Sequence, residues 1–193
     1  GLLFDLDDTL LDHGRLTLGA YGAMWELAEA GVPLLGVTGR PLGWARVLVR
    51  QWPVLAIVAE NGAVAAVADR IGTTLWDNAT EAERRDRRER LGGLLSEVLE
   101  RFPWLQDSED CSARLTDHTF DIGERVQVER PRIDEVRAAA RELGLRTTLS
   151  SVHLHMSLES MDKASGTLAL LRELRGLDPT TVLQRWVYVG DSE

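Results

Sequence analysis

Three aspartates crowd the start of the chain, Asp5, Asp7 and Asp8, and Thr9 follows them. The run before them, Leu2, Leu3 and Phe4, is apolar and lacks helical spacing, the pattern of a strand buried on both faces. In an open α/β sheet ligands gather beyond the carboxyl ends of the strands. Such a strand therefore delivers Asp5 and Asp7 to the place where chemistry is done. Residues at i and i+2 of an extended strand point the same way. Two carboxylates so close repel unless one holds a proton or a cation joins them, and a hard, oxygen-seeking ion such as Mg²⁺ is the natural partner. The competing reading is a capped turn with solvated aspartates.

The elements that would position further polar groups follow in order. Residues 17 to 30 carry Tyr21, Met24, Trp25 and Ala28 at helical spacing, with Gly31 to end the helix and Pro33 to prevent its continuation. Pro33 to Val37 reads as a second buried strand ending at Thr38, Gly39 and Arg40. Pro41 opens a helix whose apolar stripe is Trp44, Val47, Leu48 and Trp52. Pro53 to Ala59 is a third buried strand, ending at Glu60, Asn61 and Gly62. This β-α-β-α-β order predicts a parallel sheet with right-handed crossovers.

After the turn dipeptide Asn61-Gly62 the pattern changes. A strand is expected over 63–68. A charged run from Glu81 to Arg90, read as a solvated helix face, leads into an amphipathic helix with Leu91, Leu94, Leu95, Val98, Leu99 and Phe102. Phe120 with Ile122, and Val126 with Val128, alternate with polar residues as in half-exposed strands. Pro131 opens a helix with Ile133, Val136, Ala140 and Leu143 inward. Two strands follow, and the second puts Val152, Leu154 and Met156 on one face and Ser151, His153, His155 and Ser157 on the other. The parallel pattern then resumes with a helix after Lys163, carrying Leu168, Leu171 and Leu174, and a last buried strand, Trp186 to Val189, ending at Gly190 and Asp191.

Composition limits the functions available. The chain has 193 residues, enough for one ordinary domain or one domain carrying a smaller insertion, and is 44% hydrophobic and 27% charged, as expected of a globular protein. A net charge of −9 argues against nucleic acid as a partner. Cys111 is the single cysteine, so no internal disulfide forms, which fits a reducing compartment. No apolar stretch approaches the roughly 18 residues of a membrane span, and no signal peptide is visible. A cytoplasmic location without membrane association is the expectation. Both ends read as cut, so a portion of a longer chain is expected, and nothing in the sequence sets an oligomeric state.

Four segments now resemble the ordered signatures of the haloacid dehalogenase superfamily: Phe4 to Leu10, Val37 to Arg40, Lys163, and Gly190-Asp191-Ser192. The inserted module lies between the second and third, as in the type-two cap of the branch that includes sugar-phosphate and mannosyl-3-phosphoglycerate phosphatases. Glu60 to Ala63 also resembles that branch. The resemblance implies an α/β fold: a Rossmann-like parallel-sheet core over residues 1–62 and 159–193, with an inserted α+β cap over 63–158. It implies a phosphatase that needs Mg²⁺ and acts on a small phosphorylated metabolite such as a sugar or sugar-acid phosphate.

In that reading Asp5 is the nucleophile and forms an aspartyl-phosphate, and Asp7 is the general acid and then base. Thr38, Gly39 and Lys163 hold the phosphoryl oxygens, and Asp5, Asp7 and Asp191 hold the metal. Arg40 is expected at phosphate or substrate, and Asn61 with it. Ser151, His153 and His155 form the polar cap face that selects the leaving group. A zinc site on the two histidines needs a third ligand, and none stands out. Thr9 is read equally as a hydrogen-bonding neighbour of Asp5 and as packing. Asp8 stands where many relatives have glycine, and the Asn-Asp pair that usually extends the fourth signature is absent. Two alternatives remain: a phosphomutase, which also uses an aspartyl-phosphate, and a non-enzymatic phosphoacceptor signalling domain, against which the inserted module argues.

Overall fold

The computed structural model describes residues 1–191, and Ser192 of the expected fourth signature lies outside them. The chain divides into two compact units, residues 1–78 with 161–193, and residues 79–160.

The first unit begins with β1 (Leu2–Asp5), then a small hairpin of β2 (Leu11–Asp12) and β3 (Arg15–Leu16). Helix α1 (Leu18–Glu29) is capped by the Thr17 hydroxyl, which accepts from the Ala20 N–H. Next come β4 (Leu34–Val37), α2 (Leu42–Gln51), β5 (Ala56–Ala59), a short 3₁₀ turn at Glu60–Gly62, β6 (Val64–Ala68) and β7 (Thr73–Asp77). After residue 160 the unit resumes with α5 (Lys163–Arg175), α6 (Pro179–Arg185) and β11 (Val187–Val189), named after the elements of the second unit. One sheet runs β11-β1-β4-β5-β6-β7. Its first four strands are parallel and β6 and β7 turn antiparallel. Leu35, Val37, Ala56, Val58 and Ala65 of the sheet pack with Leu170, Leu171 and Val182 of the helices, the layering that parallel crossovers produce.

The second unit holds α3 (Glu81–Arg101), β8 (Asp117–Asp121), α4 (Arg130–Glu142), β9 (Arg146–Leu149) and β10 (His153–Ser157). Thr80 and Glu83 cap α3 reciprocally, each side chain bonded to the other's backbone. The strands form an antiparallel sheet, β8-β10-β9. Phe120, Leu154 and Met156 are buried with Leu95 and Val98 of α3 and Val136 and Ala140 of α4.

Several expectations need correction. Residues 64–77 were expected in the insertion, yet β6 and β7 extend the large sheet, and the compact units part at 78/79 and 160/161. The change of pattern at Asn61-Gly62 marks where the sheet turns antiparallel, not where it ends. Val126 and Val128 form no strand. The Asp121 carboxylate accepts the N–H groups of Gly123, Glu124 and Arg125, folding the chain into a turn after β8. Helix α2 buries Leu42, Ala45 and Val49 while Trp44 and Val47 are exposed. The small Ala45 lies where the helix meets the sheet. Strand β11 is exposed because it lies at the sheet edge with β1 as its neighbour. In the charged run, Arg84 is buried and paired with Glu159, which Arg87 also reaches at 2.7 Å.

Candidate active site

The site grows from the end of β1. Leu2, Leu3 and Phe4 pair on one side with Val187, Tyr188 and Val189, and on the other with Leu34, Leu35 and Gly36. Asp5, opposite Val37, is 4% exposed. One of its oxygens accepts the Leu6 N–H at 2.7 Å, and the other accepts Lys163 Nζ at 2.5 Å. A buried carboxylate needs such partners, since an unpaired charge there costs several kcal/mol, roughly. Asp7 is half-buried and accepts the guanidinium of Arg40 through Nε, at 3.0 Å to both oxygens, and through Nη2 at 2.6 Å. Arg40 in turn lies over the Trp44 ring, 4.6 Å from its centre. Asp8 has φ +53°, a left-handed geometry that aspartate tolerates and that suits glycine.

Thr38, buried at the end of β4, accepts the Arg40 N–H on its hydroxyl at 3.0 Å. Backbone bonds tie this turn to the next strand end: Glu60 N–H donates to Arg40 O, and Asn61 N–H to Thr38 O. The Glu60 carboxylate accepts the Leu42 N–H, covering the start of α2 where Pro41 has no side chain to do so. Glu60, Asn61 and Gly62 all have positive φ. A Cβ on Gly39 would lie 3.0 Å from Asn61 Oδ1, so the Asn61 amide rests against the Thr38-Gly39 turn.

Lys163 reaches Asp5 because α5 begins against that 3₁₀ turn. A Cβ on Gly62 would lie 2.0 Å from the Asp162 carbonyl oxygen, and one on Gly166 would lie 2.1 Å from the Gly62 carbonyl oxygen. Only two glycines permit this approach. Sequence reasoning read Gly62 only as a turn residue and missed Gly166. The signal was their position, one just past the third strand and one three residues into the helix. Asp162 caps α5 by accepting the Ser165 N–H.

Asp191 follows β11, two residues past the register partner of Phe4, and is exposed. Tyr188 lies nearby. Burial raises the pKa of its phenol, and the negative charges of Asp5 and Asp191 and a hydrogen bond to Asp5 raise it further. Direct bonds thus tie the sequence-read residues of the first unit into two groups, Asp5 with Lys163, and Asp7 with Arg40, Thr38 and Asn61, with Gly39 in the same turn. The donors offered to a metal are carboxylates, and hard oxygen donors suit Mg²⁺.

In the second unit, Ser151 is exposed in the bend before β10. His153 Nε2 lies 3.1 Å from Glu124. His155 is buried, correcting the expectation of an open polar face, and its Nδ1–H donates to Asp117 at 2.8 Å. Arg114 binds Asp117 and Asp110 together, and Ser108 joins Asp110 to Thr119. Burial alone would raise the Asp117 pKa. The bond from His155 and the charge of Arg114 outweigh it and hold it below the usual carboxylate range.

No protein-family model matches the chain. A curated phosphoglycolate phosphatase of Methanothermobacter thermautotrophicus is 29% identical over 191 residues, 98% of this chain and 76% of that protein. The sucrose-phosphatase of Synechocystis, solved with sucrose and phosphate, superposes with a TM-score of 0.69 at 18% identity, over 98% of this chain and 74% of that one. A Bacteroides thetaiotaomicron phosphatase of the haloalkanoate (HAD) superfamily superposes with a TM-score of 0.62 at 15% identity, over 97% of this chain and 75% of that one. In fold, this chain is similar to these phosphatases of the haloacid dehalogenase superfamily. The parallel strands they share bring Asp5 and Thr38 to the same end of the sheet, where Lys163 meets Asp5. Among the described residues no helix is long and apolar enough to cross a membrane.

Proposed function

We propose that the chain is a Mg²⁺-dependent phosphatase that hydrolyses a small phosphate monoester through an aspartyl-phosphate. The observation that carries this reading is the buried Asp5 at the end of β1, held between the Leu6 N–H and the Lys163 ammonium. Residues 1–62 and 159–193 supply the catalytic machinery, joined by the strands at 64–77, and the α+β unit acts as the cap.

Asp5 attacks phosphorus, and its carboxylate gains a phosphoryl group while the substrate's P–O bond breaks. Asp7 donates a proton to the departing alkoxide oxygen. It then takes a proton from water as that water cleaves the acylphosphate, restoring Asp5. Arg40 holds the Asp7 carboxyl in place through both steps. Thr38, the Gly39 N–H and Lys163 stabilise the negative charge spread over the non-bridging oxygens. Asp5, Asp7 and Asp191 would hold Mg²⁺, whose charge would relieve the repulsion between the Asp5 carboxylate and the anionic phosphate. The related proteins named for phosphoglycolate and sucrose phosphate support a sugar or sugar-acid phosphate as substrate. In the cap, Ser151 and His153 are proposed to read the alcohol being released.

A panel of phosphorylated metabolites assayed with Mg²⁺, with EDTA, and with EDTA followed by Mg²⁺ tests this. Turnover present in the first and third conditions and lost in the second is expected. Full activity in chelator, or activity with zinc alone, contradicts the metal assignment.

A further inference from the structure

One tryptophan of α2 is left out of the core beside the candidate site. The helix turns Leu42, Ala45 and Val49 inward, while Trp44 is 46% exposed. A single exposed apolar side chain needs no explanation by itself. Its contact does: Arg40 Cζ lies over the Trp44 ring, 4.6 Å from the ring centre.

Arg40 is held at several points. Its N–H donates to the Thr38 hydroxyl at 3.0 Å and its carbonyl accepts the Glu60 N–H at 3.0 Å, which fixes the backbone. At the far end of the side chain, Nε and Nη2 donate to the Asp7 carboxylate. Among the described residues no other side chain bonds to that carboxylate. An ion pair between side chains 21% and 47% exposed is weak alone, because water screens it and two side chains must be immobilised. A ring face against the guanidinium supplies a second hold. The negative face of the π system attracts the cation and keeps water from that side. The turn between β2 and β3 comes near the same group, since a Cβ on Gly14 would lie 3.8 Å from Arg40 Nη2.

We propose that Trp44 is a positioning residue: by holding the Arg40 guanidinium, it keeps the Asp7 carboxyl turned toward the leaving oxygen. This rests on the phosphatase reading. Trp44 acts through Arg40 and not on the substrate. The proton that Asp7 gives matters most when the departing oxygen is strongly basic, and little when the leaving group is a nitrophenolate. The contribution of Trp44 therefore grows with the basicity of the leaving group. A merely structural role would lower turnover of every ester alike.

The test uses the full chain with Mg²⁺ and a series of aryl phosphates: para-nitrophenyl, phenyl and para-methoxyphenyl. Their kcat/KM reports the step that releases the phenol. In Trp44→Ala, checked for native circular dichroism, kcat/KM for the phenyl and methoxyphenyl esters should fall about two- to five-fold relative to the nitrophenyl ester, the factor expected of losing one exposed cation–π contact. Trp44→Phe, which keeps a ring face, should restore the wild-type ratio, and Trp44→Leu should not. A second readout needs no turnover. The Arg40 Nε–H resonance, assigned by its loss in Arg40→Lys, should carry a ring-current shift that Trp44→Leu removes and Trp44→Phe keeps. Equal losses across the series, rescue by leucine as good as by phenylalanine, or an Arg40 resonance unmoved in Trp44→Leu would each overturn the proposal alone. Turnover of none of these esters by the wild type would instead refute the phosphatase reading, and the role of Trp44 with it.

Discussion

At the scale of single residues, charge pairing dominates. Asp5 and Lys163 form one pair and Asp7 and Arg40 another. Asp5→Asn keeps the size of the side chain but makes a far poorer nucleophile, so a well-folded variant should lose steady-state turnover. Turnover by a clean preparation would refute the assignment. Asp7→Asn should instead slow both proton-transfer steps, by roughly 10²–10⁴-fold, measured as kcat against an ester with a poor leaving group. Asp117 allows a prediction about stability. Its folded pKa is depressed below the ordinary 3.8. The stability it contributes is therefore complete above about pH 4 and drains away as pH falls through and below that value. Denaturant melts between pH 7 and pH 3 should show this loss. Asp117→Asn should flatten the acid limb while lowering stability at pH 7, and an unchanged pH dependence would contradict the pairing. The sequence displayed the motif aspartates because they interrupt an apolar run. It did not display the Asp117, Arg114 and His155 cluster, in which Arg114 is 3 residues from Asp117 but His155 is 38 away and reaches it only from β10 to β8.

At the scale of elements, the decisive contact is the approach of α5 to the 3₁₀ turn. Gly62 has φ +102°, and an added Cβ would strike the Asp162 carbonyl oxygen. Gly62→Ala should cost roughly 2–4 kcal/mol through strain and displacement together. It should also reduce kcat, because the start of α5 carries Lys163. Chemical denaturation and steady-state kinetics on one preparation check both, and native stability with native kcat would show that the helix start does not depend on this approach. The parallel strands were legible because burial on both faces gives unbroken apolar runs, such as Leu34 to Val37 and Ala56 to Ala59. Helix α2 was legible in extent but not in orientation. Its bulky residues suggested a stripe through Trp44 and Val47, whereas the face against the sheet uses the smaller Ala45. Pattern reading weights size, and close packing rewards its absence.

At the scale of the whole molecule, residues 79–160 own a core of their own built from α3, α4 and three strands. Expressed alone, this segment should unfold in a cooperative thermal transition seen by near-ultraviolet circular dichroism, and a flat, non-cooperative melt would contradict its independence. Its start was expected at residue 63 because the sequence turns at Asn61-Gly62, which is where the larger sheet becomes antiparallel through β6 and β7. The joint between the two parts of the first unit also has a kinetic consequence. Asp5 and Lys163 are 158 residues apart in sequence. Bringing such distant points together is slow while the chain between them is loose, and the entropy required grows with the length of the loop. Once residues 79–160 have folded, the same gap is spanned by a compact body rather than a long coil. Refolding should therefore proceed from the insertion outward, and recovery of turnover should trail the return of helix signal, with Asp5 finding Lys163 among the last events.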